Sequence, residues 1–136
     1  MNACLVDTNV FLDYFLNRNG ADDAIEILNL CEVGRIAGFV SAHEITTMSY
    51  YLEKGVKDRS KVIEIIGKTI KTFTIIETND RILGMALFSN VNDYEDAVIE
   101  VASMERKIDY IITKNIKDFK NSRIKAILPS EFLKLI

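Results

Sequence analysis

The sequence predicts an α/β fold, a three-layer α/β/α sandwich around a parallel sheet of four to five strands. Three observations lead there. Short apolar runs alternate with longer stretches of helical periodicity along the chain. Apolar residues make up 49% of the 136 residues, enough for one core in one domain spanning 1–136. Gly and Pro number only six and one, which leaves little room for long loops or linkers. Strands separated by helices pair in parallel, and the right-handed crossover rule then covers the sheet with helices.

The elements follow in order. Ala3–Val6 is a short apolar run and reads as a buried strand. Asn9–Leu16 is apolar almost all round and reads as a helix. Ala21–Val33 places Ala24, Ile27, Leu28 and Cys31 at helical spacing, with Gly34 as the stop. Ile36–Val40 is the second strand. Ser41 is positioned to cap a helix ending at Gly55, and Asp58 to cap another carrying Val62, Ile65, Ile66 and Ile70 on one face. Thr72–Ile76 is the third strand. Helices follow from Thr78 or Asn79 to Phe88, and from Asn92 or Asp93 to Lys107. Tyr110–Thr113 is the fourth strand, Ile116–Phe119 a short helical turn and Ala126–Leu128 the fifth strand. Ser130 is placed to cap a last turn.

No run of ~18 apolar residues suits a membrane span, and the N-terminus carries no signal-peptide pattern. Cys4 in a strand and Cys31 in a helix read as reduced, packed thiols, so a cytoplasmic protein is expected. The net charge of −3 conceals blocks of opposite sign. Residues 1–50 carry −5, 51–72 carry +3, 73–105 carry −6 and 106–125 carry +5. Acidic sites flanked by basic ones suit a protein that holds cations and also meets a polyanion, although solvated faces produce the same statistics.

Ligands bind open parallel sheets beyond the carboxyl ends of their strands. Asp7 ends strand one. Glu44 lies just past strand two. Asp93, Asp96 and Glu100 share a sector of about 60° on the helix before strand four. Asn115 and Asp118 follow that strand. Each acid also has a structural reading. Asp7 can cap a helix, Ser41-x-x-Glu44 matches a capping box, and Asp93 and Asp96 suit a helix first turn. Gathered at one edge, however, they repel one another unless a hard cation such as Mg²⁺ or Mn²⁺ neutralises them. Thr8 and Asn9 can orient these groups, contact substrate, or simply begin a helix. His43, the one histidine, reads as packed or solvent-facing rather than as a proton carrier.

Leu5-Val6-Asp7-Thr8-Asn9, a helical Glu44, Asp93-Tyr94-Glu95-Asp96-Ala97, Ile112-Thr113-Lys114-Asn115-Ile116-Lys117-Asp118-Phe119 and Ser130-Glu131-Phe132-Leu133 together resemble the ordered motifs of PIN-domain nucleases. The resemblance spans essentially the whole chain. It implies a Mg²⁺- or Mn²⁺-dependent endoribonuclease, often the toxin of a bacterial toxin–antitoxin pair, with Asp7, Glu44 and Asp96 as core carboxylates. Many members of that family carry Asp where Asn115 stands. Asp93 or Asp118 is then expected to complete the metal set, and Thr8, Asn9, Lys114, Asn115 and Lys117 to meet RNA. The family's habits also imply a homodimer and an antitoxin partner. The aromatic positions Phe11, Tyr14, Phe15, Tyr50 and Tyr51 are where such an interface is expected.

Two other classes compete. A receiver-type signalling domain needs a carboxylate pair beside strand one, an Asp ending strand three and a Lys after strand five, whereas strand three ends Ile76-Glu77 and Pro129 follows strand five. An Asp-x-Asp phosphatase needs an acid at position 9, which is Asn. An inactive scaffold of PIN type, binding a protein partner without cutting RNA, is the alternative that Asn115 keeps open.

Overall fold

A computed structural model describes residues 1–136. Five strands, β1 (Ala3–Val6), β2 (Ala37–Ser41), β3 (Thr74–Ile76), β4 (Tyr110–Ile112) and β5 (Lys125–Ile127), form one sheet in the order β3-β2-β1-β4-β5. Every pairing is parallel. Seven α-helices connect and flank them: α1 (Thr8–Phe15), α2 (Ala21–Glu32), α3 (Ala42–Val56), α4 (Arg59–Thr72), α5 (Asp80–Ala86), α6 (Tyr94–Glu105) and α7 (Pro129–Leu133). A 3₁₀ turn spans Ile116–Phe119. No helix is long and apolar enough to cross a membrane.

The two-residue period of a strand sorts its side chains between two cores. Cys4, Val6, Val40, Ile112 and Ile127 join residues of α1–α4 and α7 on one face. Leu5, Ile76 and Ile111 join residues of α5 and α6 on the other. Both faces are covered, which is why these strands read as continuous apolar runs. The topology explains the layers. β1 to β3 advance one way across the sheet, and the chain then crosses to the other side of β1 to lay down β4. Reversing the direction of a right-handed crossover puts α5 and α6 on the opposite face. The reversal happens at β1, so the crevice beyond its carboxyl end is the switch point of the sheet.

Several expectations need correction. α3 does not stop at Gly55. It continues to Val56, and Lys57 takes the left-handed conformation at φ 58. Gly55 is needed for another reason: a Cβ there would stand 2.6 Å from Cδ2 of Leu16. Ser130 does not cap α7, which starts at Pro129 with Leu128 in the capping position and no side-chain bond. β3 starts at Thr74 because α4 holds Thr72 and Phe73 closes it. The aromatic positions expected at an interface divide. Phe11 is buried edge-on against Phe73, with ring centroids 5.0 Å apart, while Tyr14, Tyr50 and Tyr51 are exposed. Cys4 and Cys31 are free and buried, and burial pushes both thiols up to about 12.

Candidate active site

Asp7 stands one residue beyond β1. Its backbone N–H still donates to Ile112 O at 2.9 Å, so its position is tied to β4. Its carboxylate does two things at once. Oδ1 caps α1 by accepting from Thr8 N at 2.8 Å. Oδ2 accepts from Thr113 Oγ1 at 2.7 Å and from Asn9 Nδ2 at 3.2 Å. The capping and site readings of Asp7 are therefore compatible.

Glu44 repeats this division of labour. It forms the capping box with Ser41: Ser41 Oγ accepts from Glu44 N, and Glu44 Oε1 accepts from Ser41 N, both at 3.1 Å. Its other oxygen, Oε2, is buried and has no hydrogen-bond partner. A capping residue alone would leave the spare oxygen in water; here it is held inside. Burial, and then the charge of Asp7, push the Glu44 carboxyl well above its usual range, against the pull of the Ser41 donors. Burial also raises Asp7, which the donors Thr113, Thr8 and Asn9 partly offset by hydrogen bonding.

Asp96 approaches from the opposite helical layer. Asp93 caps α6 by accepting from Asp96 N at 3.1 Å, which fixes the first turn. Asp96 is half-buried, and its carboxyl is pushed up to about 7. Burial is the main cause, followed by the negative charges of Asp93, Asp7, Asp118 and Glu95. Acids from β1, α6 and the 3₁₀ turn thus share one field, with Glu44 of α3 against Asp7. No three acidic, histidine or cysteine side chains form a ready-made ligand cage. The donor chemistry nevertheless fits a hard divalent cation: only carboxylate oxygens, one of them buried without a partner, and two carboxyls whose proton affinity burial and negative neighbours raise.

The remaining predicted residues separate. Asn9 bridges Asp7 and Thr113, donating to Thr113 Oγ1 at 3.3 Å, while Thr8 begins the helix. Asn115 is exposed; its backbone N–H donates to Thr113 Oγ1 at 3.0 Å, and its side chain does not cap the 3₁₀ turn. Lys117 and Asp118 are exposed on that turn. Lys114 is exposed but already paired: its ammonium lies 2.8 Å from the buried Asp13 carboxylate and donates to Asn19 O at 2.9 Å. Glu100 does not join the acids despite sharing their helical sector. It is fully buried, accepting from Ser89 Oγ at 2.6 Å, Arg123 N at 2.7 Å and Arg123 Nη2 at 3.1 Å. His43 is exposed, 3.5 Å from Glu95. Thr113, wholly buried and bonded to three site groups, is absent from the sequence-derived set. Its signal there is its place at the end of the expected fourth strand, within the Ile112-Thr113-Lys114-Asn115 motif.

Comparison with known proteins agrees with this architecture. Residues 3–117 match the PIN domain family. No curated protein matches the sequence. Among solved structures, a toxin–antitoxin complex from Klebsiella pneumoniae superposes with a TM-score of 0.68 at 22% identity, covering 93% of this chain and 97% of that one. VapBC2 from Rickettsia felis, bound to a DNA fragment from its promoter, gives 0.64 at 16%, covering 93% and 98%. VapC20 from Mycobacterium tuberculosis, a sarcin–ricin loop cleaving toxin, gives 0.67 at 10%, covering 90% and 98%. At these identities the likeness is one of fold.

Proposed function

The chain belongs to the PIN-domain family, and on that premise we propose that it is a divalent-metal-dependent endoribonuclease and the toxin of a toxin–antitoxin pair. The observation that carries the reading is the spare oxygen of Glu44, buried without a partner against Asp7. Asp7, Glu44 and Asp96 would hold Mg²⁺ or Mn²⁺, with Asp93 or Asp118 completing the set. The bound ion supplies an activated water and offsets charge on the phosphate.

The chain's own residues prepare the rest. Thr113 and Asn9 hold one oxygen of Asp7 in place, and Thr8 N holds the other. Ser41 N holds Oε1 of Glu44 and leaves the buried Oε2 without a partner. Asn115 and Lys117 lie beyond this edge on the exposed 3₁₀ segment, positioned to meet RNA phosphates or bases. The toxin role is supported by the described roles of proteins sharing this fold. An antitoxin or a second copy would cover the exposed Tyr14, Tyr50 and Tyr51.

The test is cleavage of structured RNA by purified protein with Mg²⁺ or Mn²⁺, repeated with EDTA and with Asp7→Asn. Metal-dependent cutting lost in the variant is the expected result. Undiminished cutting in chelator overturns the mechanism. The absence of a ready-made cage favours one second reading, a non-cleaving scaffold. Absence of cleavage with every divalent metal, alongside intact binding of a protein partner, would select it. For the toxin role, expression should arrest growth and Asp7→Asn should relieve the arrest.

A further inference from the structure

We infer that Asp13 and Lys114 are positioning residues, a clasp by which α1 holds the segment after β4 in the conformation that orients Asp7. The inference rests on the nuclease reading for its kinetic consequence, but not for its structural one. Asn9 and Asp13 lie four residues apart on α1 and therefore share a face. Both grip Lys114. Asn9 Oδ1 accepts from the Lys114 backbone N–H at 3.2 Å. The Asp13 carboxylate, 4% exposed, takes the ammonium at 2.8 Å. The turn between α1 and α2 closes over the pair. Asn19 O accepts from Lys114 Nζ at 2.9 Å, and Arg18 N donates to Asp13 O at 2.8 Å. Gly20, at φ 97, leaves room where a Cβ would stand 3.1 Å from Asp13 Oδ2.

The two neighbours of Lys114 carry the effect to the site. Thr113 donates to Asp7 Oδ2, and Asn115 N donates back to Thr113 Oγ1. Asn9 holds Lys114 with one end of its amide and Asp7 and Thr113 with the other. An unbroken path of bonded groups therefore runs from the buried Asp13 charge to the carboxylate oxygen that Thr113 orients. A buried carboxylate with an ammonium at this distance fixes its partner firmly, because separating them strands a charge. Lys114 thereby acts on the reaction through Asp7, not by touching RNA.

Asp13→Asn removes the charge and keeps the shape, so it tests the clasp without emptying the core. In metal-free protein, amide hydrogen exchange at Lys114 and Asn115 should speed up about tenfold or more, while Leu5 and Ile111 in the sheet stay protected. With RNA, kcat should fall about tenfold or more and KM change less than about twofold, since misplacement by a fraction of an ångström impairs chemistry before binding. Lys114→Arg, which keeps the ion pair, should stay within about threefold of the parent in kcat. Unchanged exchange at Lys114 and Asn115, or acceleration spread evenly through the sheet, overturns the clasp. A raised KM with unchanged kcat in Lys114→Met also overturns it, by showing that the ammonium holds RNA. If the parent protein cuts no RNA, the nuclease reading fails, and the exchange measurement alone decides the clasp.

Discussion

Thr113 Oγ1 donates to Asp7 Oδ2 at 2.7 Å, joining two residues 106 positions apart. The same hydroxyl accepts from Asn115 N and Asn9 Nδ2, so one oxygen ties α1, β4 and the 3₁₀ turn to the acidic edge. Thr113→Val keeps the volume and removes every one of these bonds. Thermal or denaturant unfolding should show a loss of about 1–3 kcal/mol, the usual range for orphaned buried polar groups. RNA cleavage should fall by about tenfold or more, whereas Thr113→Ser should retain most of both.

A second prediction concerns the repelling acids. Glu44→Gln keeps an acceptor for Ser41 N and removes the carboxyl that burial and the charge of Asp7 push up. Asp96→Asn removes a charge raised to about 7 by its acidic neighbours. Each variant should lose cleavage, yet each should melt at the parent temperature or above in EDTA at pH 7.5, as is common where function opposes stability. A drop of several degrees in both would show that the carboxylates serve the fold instead.

The pH dependence has a definite sign. Asp96 binds its proton more tightly folded, at about 7, than at its ordinary 3.8. Between those values the folded state holds more protons than the unfolded, so protonation favours folding and stability falls as pH rises. Asp7 and Glu44 are raised in the same direction. The metal-free protein should therefore lose melting temperature as pH rises from about 4 through the range near 7 where Asp96 gives up its proton. Saturating Mn²⁺ should flatten the profile, since a cation replaces the protons. A metal-free protein that gains stability over this range would contradict the electrostatic account.

The basic segment 106–125 divides by what its side chains already touch. Lys114 and Arg123 are committed to Asp13 and Glu100, while Lys117, Lys120 and Lys125 make no ion pair and are exposed. Replacing those three with Gln should weaken RNA binding and reduce the slope of log K against log salt, by about 0.7 for each single-strand phosphate that is no longer neutralised. An unchanged slope would show that the three are solvated and take no part.

Tyr14, Tyr50 and Tyr51 leave apolar rings in water, with the Tyr50 and Tyr51 rings edge-on at 5.2 Å. Light scattering on the isolated protein should show a dimer, and Tyr50→Glu with Tyr51→Glu should dissociate it while leaving the fold intact. A monomer at micromolar concentration would exclude a second copy as the cover for this face.

Much of the fold was legible because its signals are local. Leu5-Val6-Asp7 shows a buried strand ending in an acid, and Asp58 and Asn79 sit where helices must be capped. What was misread depends on distant partners. Gly55 resembles a helix stop until Leu16 is seen against it. Glu100 shares the angular sector of Asp96, but four residues at 1.5 Å each carry it about 6 Å along the axis, to Ser89 and Arg123. Lys114 resembles a free cation until Asp13 is found beneath it. Helical angle and charge sign are properties of a segment, whereas depth and partnership belong to the assembled chain.

The central place of β1 sets the order in which this edge comes into being. β1 is translated well before one of its two neighbours, β4. At about 5–20 residues per second, the 106 positions between Asp7 and Thr113 correspond to roughly 5–20 s of synthesis. Throughout that interval the nascent chain has an open β1 flank, and Asp7 has no Thr113. The acidic edge is completed only once the segment carrying Thr113 has been made, so a product stalled before it carries the early acids without the later residues that orient them.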